Sequence, residues 1–570
     1  MFRREWVDQA EASLRCGQLD RRDFMRCLVL GGISASMASL MAEKVLAQAS
    51  SFVTDVNKVG KDFEIIIVGA GAAGCVLASK LSNAGKSVLL IEAGGDRRDD
   101  PIVTNPKQWF LAQGDPNFDW NYLTTPQDSV GGTRVPCPRG RLLGGSASIN
   151  VMTYLRGVPA DYNNWAYDGC PGWDWASVLP HFKRLEGTAS GNDSHRGRSG
   201  QQHLETARGV AHELSLACLQ AAKQAGVKET TDVNGPDPVG AGYQDMAIKD
   251  GRRFGAAEAF LYPAMERNEL TVLGGARVTR LNIAAGSCVS LEVRTNGTTT
   301  TIPVKGELVL SAGSIDTPRL LMLSGVGRVD DLAQLGISPV LDHSAVGQNL
   351  QDHILIGGVV CETKQEVSAM TTNASEVVIT RQLRPGPPVP DIGMPFFQGG
   401  FAAPEHRPHV PKNSYTLIPG LLRPFARGEL RLASANPDMA PLINPNYLGE
   451  TADMERLLES IALAREIVNA PAFAPFRKRE VLPGAGKSRP STIEFLKQGL
   501  GSWYHPVGTC RMGLDDSAPV DPQSLRLKGT RNIRIADCSI IPTIPSANTM
   551  AAAMLIGDKA SEMIISAINK

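Results

Sequence analysis

The sequence predicts an α/β protein in which a Rossmann-like dinucleotide-binding domain shares the chain with a second, interleaved domain. Three observations carry this expectation. A complete strand–turn–helix–strand unit occupies residues 62–96. Further glycine-rich stretches recur far downstream, at 140–157 and 307–327. And 570 residues are too many for one ordinary hydrophobic core.

The first unit reads DFEIIIVGAGAAGCVLASKLSNAGKSVLLIEAGGD. Ile65–Val68 is a run of branched residues suited to a strand buried on both faces. Gly69, Gly71 and Gly74, with Ala72 and Ala73 between them, then turn the chain into a helix carrying Val76, Leu77 and Leu81 at helical spacing. In this pattern the first glycine permits a tight turn, and the second lets backbone approach a pyrophosphate. The third lets helix and strand pack closely, so that the helix N-terminus faces the phosphates. Ser87–Ile91 is the second strand, and Glu92 at its tip can accept hydrogen bonds from ribose hydroxyls.

GRLLGGSASINVMTYLRG (140–157) groups Gly144, Gly145 and Ser146 with Asn150. ELVLSAGSIDTPRLLMLSGVG (307–327) predicts a strand over 308–310 opening a helix, with Pro318 in that helix's first turns. Near the C-terminus a strand over 533–536 ends at Asp537, and an alanine-rich helix begins near Asn548. Several separate segments closing over one ligand suit a long flavin dinucleotide better than a loosely held nicotinamide.

Composition narrows the partners. Lys plus Arg and Asp plus Glu balance at 58 each, which argues against nucleic acid. The ten cysteines form no Cys-x-x-Cys, so zinc-ribbon and iron–sulfur spacings are absent. No metal is expected. Residues 1–49 read as a twin-arginine signal: Arg21 and Arg22 precede an apolar stretch ending near a small-x-small site at Ala47 and Ala49. The expected location is therefore the periplasm or beyond, otherwise the cytoplasm. No integral membrane span is expected in the mature chain, because the stretch is short for ~30 Å of hydrocarbon.

GSWYHPVGTCRMG (501–513) sets His505 five positions before Cys510. Cys510 has no cationic partner nearby except Arg511, so a small buried residue in a turn is expected rather than a nucleophile. With GRLLGGSASINVMTYLRG, GSIDTPRLLMLSGVG, HPVGTCRMG and DCSIIPTIPSANT all present in order, the chain resembles the glucose–methanol–choline (GMC) oxidoreductase family from about residue 62 to 566. The resemblance implies a discontinuous FAD domain (60–165, 250–345 and 495–570). It also implies an α+β substrate domain on an antiparallel sheet (166–249 and 346–494). It implies an FAD-dependent alcohol dehydrogenase or oxidase that moves a hydride from a CH–OH carbon to flavin N5. His505 falls where the family places its base and Asn548 where it places that base's partner. Gly69, Gly71, Ala72, Ala73, Gly74, Glu92, Gly144, Gly145, Ser146, Asn150, Val278, Asp537 and Asn548 would contact the cofactor. A histidine near pKa ~6.5 suits proton removal near neutral pH.

Some members of the family link flavin to a histidine where this chain has Ile149, so non-covalent FAD is expected. The partners expected are a small-molecule alcohol and an electron acceptor: oxygen, a quinone or a cytochrome. Non-redox chemistry on the same fold, hydroxynitrile lysis or fatty-acid photodecarboxylation, is the alternative. The Pro- and Thr-rich segment 363–411 is expected to be a loop or lid at the substrate entrance, or a plain surface connection.

Overall fold

The computed structural model describes the chain apart from residues 1–5, 8, 9, 12, 15–18, 61, 371, 485 and 570, and apart from the side chains of 44–50. Six strands form a parallel sheet: β1 (Phe52–Val53), β2 (Ile65–Val68), β3 (Val88–Ile91), β4 (Leu270–Leu273), β5 (Glu307–Leu310) and β6 (Ile533–Ile535). Their order is β1-β4-β3-β2-β5-β6. Every residue of β2 and β3 is buried, as continuous branched runs require of strands covered on both faces. The chain leaves β2 toward β3 on one side, and β5 lies on the other. That reversal opens a crevice at the carboxyl ends, the expected place for a dinucleotide.

Three helices cover this crevice: α1 (Ala72–Asn83), α2 (Gly313–Leu323) and α3 (Thr549–Ile568). α1 and α3 meet at backbone distance, because a Cβ on Gly557 would stand 2.5 Å from the Ala73 carbonyl oxygen. Pro318 is the sixth residue of α2, in its first turns as expected but past the positions whose N–H groups have no partner within the helix. Its missing N–H would have bonded the Ser314 carbonyl. That oxygen accepts instead from the Thr509 hydroxyl at 2.7 Å, so the helix survives and is tied to the segment bearing His505.

The second domain is built on a nine-stranded antiparallel sheet. Its connected path runs through 477–482, 359–363, 414–417, 392–397, 420–421, 354–356 and 500–502, with 377–381 and 241–243 branching from 392–397. The segment 363–411, expected to be a loop, lid or surface connection, thus contributes two strands to this sheet, and Ser375, Phe397 and Phe401 from it line the cavity described below. Val377–Arg381 and Ile392–Phe397 lie inside the sheet, with Ile392, Met394 and Phe396 buried on one face. The strand 52–53, ahead of residue 60, edges the parallel sheet, while 500–502 pairs with the antiparallel one. In the N-terminal segment, helices Arg21–Leu30 and Ala35–Ser51 bury Phe24 and Leu28 against Ala38 and Ala42. Among the described residues no helix is long and apolar enough to cross a membrane.

Candidate active site

A continuous cavity of about 330 Å³ runs from the carboxyl end of β2 to the antiparallel sheet. Its inner arm is lined by the glycine turn after β2 and by Glu92 at the tip of β3. Gly69 holds φ +102°, and a Cβ there would stand 2.5 Å from the Ser311 carbonyl oxygen. A Cβ on Gly71 would project into open cavity, touching only Ser311 O at 3.9 Å. Gly71 is also the N-cap of α1 and supplies no side-chain cap, which leaves first-turn N–H groups for a phosphate. Glu92 is buried at the tip of β3, where its carboxylate accepts from Ala70 N at 2.9 Å and Gly94 N at 2.8 Å. Burial raises its pKa to about 7.

Gly69, Gly71, Ala72, Ala73, Glu92, Gly145, Ser146, Asn150, Val278, Asp537 and Asn548 all line the cavity. Gly74 and Gly144 do not. Gly74 is a packing residue, because its Cβ would meet Gly69 O at 2.0 Å. Gly144 holds φ +90° and donates its N–H to Ala70 O, so it docks the 140–150 loop onto the first glycine turn. Asp537 is a clamp as well as a wall: it accepts from Gly313 N at 2.9 Å and Thr317 Oγ1 at 2.6 Å. The Asn150 side chain is likewise committed, to Met152 N at 2.9 Å and to the fully buried Arg253 at 2.7 Å. Arg253 also reaches the carbonyls of Val103, Ala147 and Asn150, which fixes the loop.

At the outer arm the strand pairing Ile354↔Ser502 brings two distant histidines together. His505 Nδ1 lies 2.9 Å from His353 Nδ1, and the two rings meet at 90°. His505 Nε2 lies 3.2 Å from the Asn548 amide nitrogen. Asn548 is the N-cap of α3, yet its side chain makes no capping bond. An asparagine there ordinarily caps, so this one is spared for the cavity. Asp352 accepts from the His505 backbone N–H at 2.8 Å and from the Ser502 and Tyr447 hydroxyls. Tyr504 adopts φ +67°, and Arg139 holds its carbonyl. Cys510 is fully buried, and burial pushes its thiol well above its ordinary range, as expected of an inert turn residue.

Burial, then the neighbouring His353 and Arg139, drive the His505 pKa well below its usual value. Burial takes His353 down to about 3. These shifts have a consequence for stability. The unfolded chain binds the His353 proton near pH ~6.5, long before the folded chain does, so stability falls as pH drops from there toward 3. His353→Gln removes that term. The thermal midpoint of the variant is expected to decline less steeply than that of the wild type between about pH 6.5 and 4, read by calorimetry.

His353, Arg139, Arg253 and Trp503 carry no motif that marks them. His353 stands 152 positions from His505 and meets it only through sheet register. Asn548 and His505 were marked by resemblance alone.

Family models described as GMC oxidoreductase match residues 63–355 and 424–557. The chain is 36% identical over 542 residues to mitochondrial choline dehydrogenase of Mus musculus, covering 89% of this chain and 90% of that one. It is 34% identical over 534 residues to oxygen-dependent choline dehydrogenase of Rhizobium johnstonii, covering 88% and 95%. The solved structure of pyridoxine 4-oxidase from Mesorbium loti superposes with a TM-score of 0.84 at 32% identity, covering 89% of this chain and 99% of that one. With both halves of the chain matched and a glycine-turn cradle at the carboxyl end of the parallel sheet, the protein belongs to the GMC oxidoreductase family and is an FAD-dependent oxidoreductase acting on CH–OH donors.

Proposed function

We propose that the enzyme oxidises a small-molecule alcohol to an aldehyde or ketone, with His505 Nε2 as the base and the Asn548 amide as the second hold on the hydroxyl. The observation that carries this reading is the spared N-cap side chain of Asn548, 3.2 Å from His505 Nε2 and facing the cavity. A hydroxyl seated between these two groups gives its proton to Nε2 as its carbinol carbon gives up a hydride. FAD, when bound, supplies the hydride acceptor at N5. The alcohol thereby loses two electrons and both hydrogens, leaving a C=O bond.

The tautomer of His505 follows from its neighbours. Nε2 faces the Asn548 amide donor, so the ring proton sits on Nδ1 and is donated to His353 Nδ1. His353 then carries its proton on Nε2. The carbonyls of Leu422 and Pro545 lie beside that ring and favour its protonated edge, although Nε2 makes no hydrogen bond of good geometry. The low pKa of His505 keeps Nε2 unprotonated through neutral and mildly acidic pH. The rate of flavin reduction is therefore expected to be flat between about pH 6 and 9. This replaces the rise near ~6.5 that an ordinary histidine would give.

Ile149 lines the cavity and cannot bond covalently to flavin, so FAD is held non-covalently. Acid precipitation of the yellow protein tests this: free FAD should appear in the supernatant. Glu92→Ala removes the acceptor of two backbone N–H groups and of the ribose. It is expected to weaken FAD binding about ten- to a hundredfold, read by flavin fluorescence during titration. Oxygen, a quinone or a cytochrome takes the electrons onward; assays with oxygen and with an artificial dye separate an oxidase from a dehydrogenase. We also propose export by the twin-arginine route, to be checked by N-terminal sequencing of protein from the periplasmic fraction.

A further inference from the structure

The outer arm of the cavity has a distinctive wall. Gly393 and Gly420 are cross-strand partners in the antiparallel sheet. A Cβ on Gly393 would stand 3.1 Å from Trp503 Cη2, and one on Gly420 would stand 2.5 Å from Trp503 Cζ3. Two facing glycines thus form a flat bed on which the indole lies, and the same indole stacks on His505 at 24°. Trp109, Phe397 and Phe401 continue the aromatic lining, meeting edge to face.

The carboxylates and cations that line the cavity are unevenly placed. Among the described residues, the carboxylates that line the cavity are Glu92, Asp316 and Asp537, each on the parallel-sheet side. None comes from the antiparallel sheet or from 503–506. Asp352 sits behind His505, with its oxygens taken by the His505 N–H, Ser502 and Tyr447, and does not line the cavity. Arg139 does line it; its side-chain hydrogen bonds go to the Pro138 and Tyr504 carbonyls, and its charge is felt by the buried Asp352. A cation entering here loses its water and meets the Arg139 guanidinium, while the one carboxylate behind His505, Asp352, is out of contact with the cavity. Aromatic faces return about 2 kcal/mol or more of that loss in a desolvated site, and the Arg139 charge opposes that gain.

From this arrangement we infer that the outer arm selects an uncharged alcohol with a flat, largely apolar body and discriminates against quaternary ammonium alcohols. The inference rests on the reading of His505 and Asn548 as the alcohol-holding pair. It sets this chain apart from relatives whose names specify choline.

The test uses three alcohols with the FAD-loaded enzyme: choline, its neutral isostere 3,3-dimethylbutan-1-ol, and benzyl alcohol. Anaerobic flavin reduction is followed in a stopped-flow instrument at matched concentrations. The isostere is expected to exceed choline by about tenfold or more in second-order rate, the discrimination that one uncompensated charge produces, and benzyl alcohol to exceed both. Choline reacting faster than its isostere overturns the inference. If none of the three bleaches the flavin, perturbation of the oxidised flavin spectrum by the same compounds reads binding without turnover. Tighter binding of the isostere then upholds the charge preference while the reading of the catalytic pair fails. Tighter binding of choline overturns the preference.

Discussion

His505→Ala is expected to slow anaerobic flavin reduction by about 10²–10⁴, the range for one positioned proton acceptor, while the protein stays yellow. The cofactor is expected to be retained because the proposed phosphate and ribose cradle lies on Gly69 through Glu92, on the parallel sheet. His505 sits instead at the end of strand 500–502, on the antiparallel sheet. The loss should fall on the rate at saturating alcohol, because the missing group acts on the proton that leaves as the C–H bond breaks. Asn548→Ala is expected to be milder, at about tenfold, since it removes one hold on the hydroxyl and leaves the base. Absorbance at the flavin maximum gives the occupancy of each variant before mixing. Reduction of the His505→Ala flavin at nearly the wild-type rate would show the imidazole to be a packing group in a strained turn.

His353→Ala is expected to cost about ten- to a hundredfold in the same reaction without touching substrate. In the proposed tautomer His353 accepts the Nδ1 proton of His505; the two nitrogens lie 2.9 Å apart in a fully buried setting. Removing the acceptor leaves a buried N–H unsatisfied and frees the imidazole to move its proton to Nε2, where it can no longer act as a base. His353 is thus a positioning residue, and its signature is rescue. His353→Gln offers a side-chain carbonyl to the same N–H and is expected to recover much of the loss. A purely structural role predicts equal loss in both variants, in proportion to their thermal destabilisation. The two outcomes separate when the reduction rate is set against the thermal midpoint for wild type, Ala and Gln.

How far the sequence discloses this arrangement depends on the range of the interaction. β2, α1 and β3 are legible because their signals are local: branched runs, three glycines at fixed spacing and an acid at the second strand's tip. The strand Ile392–Phe397 is hidden because Gly393 and Pro395 occupy its alternate positions and mask the period-two pattern of Ile392, Met394 and Phe396. Gly393 earns its place through an indole more than a hundred residues away, which no local rule reveals. His353 is hidden for the same reason, because only the register of two short strands places it against His505. Pro318 marks a helix in both readings. The Thr509 hydroxyl that satisfies the carbonyl it strands belongs to another segment of the chain.

The central claim, alcohol oxidation at the His505–Asn548 pair, is tested most directly by mixing the oxidised protein without air with benzyl alcohol and with its α,α-dideuterated form. The flavin is expected to bleach with the protonated alcohol, and more slowly with the deuterated one because the C–H bond breaks in that step. The rate should stay level between about pH 6 and 9, as the lowered pKa of His505 requires. A protein that carries FAD yet keeps its colour with benzyl alcohol and with every other alcohol offered, charged or neutral, would contradict the account.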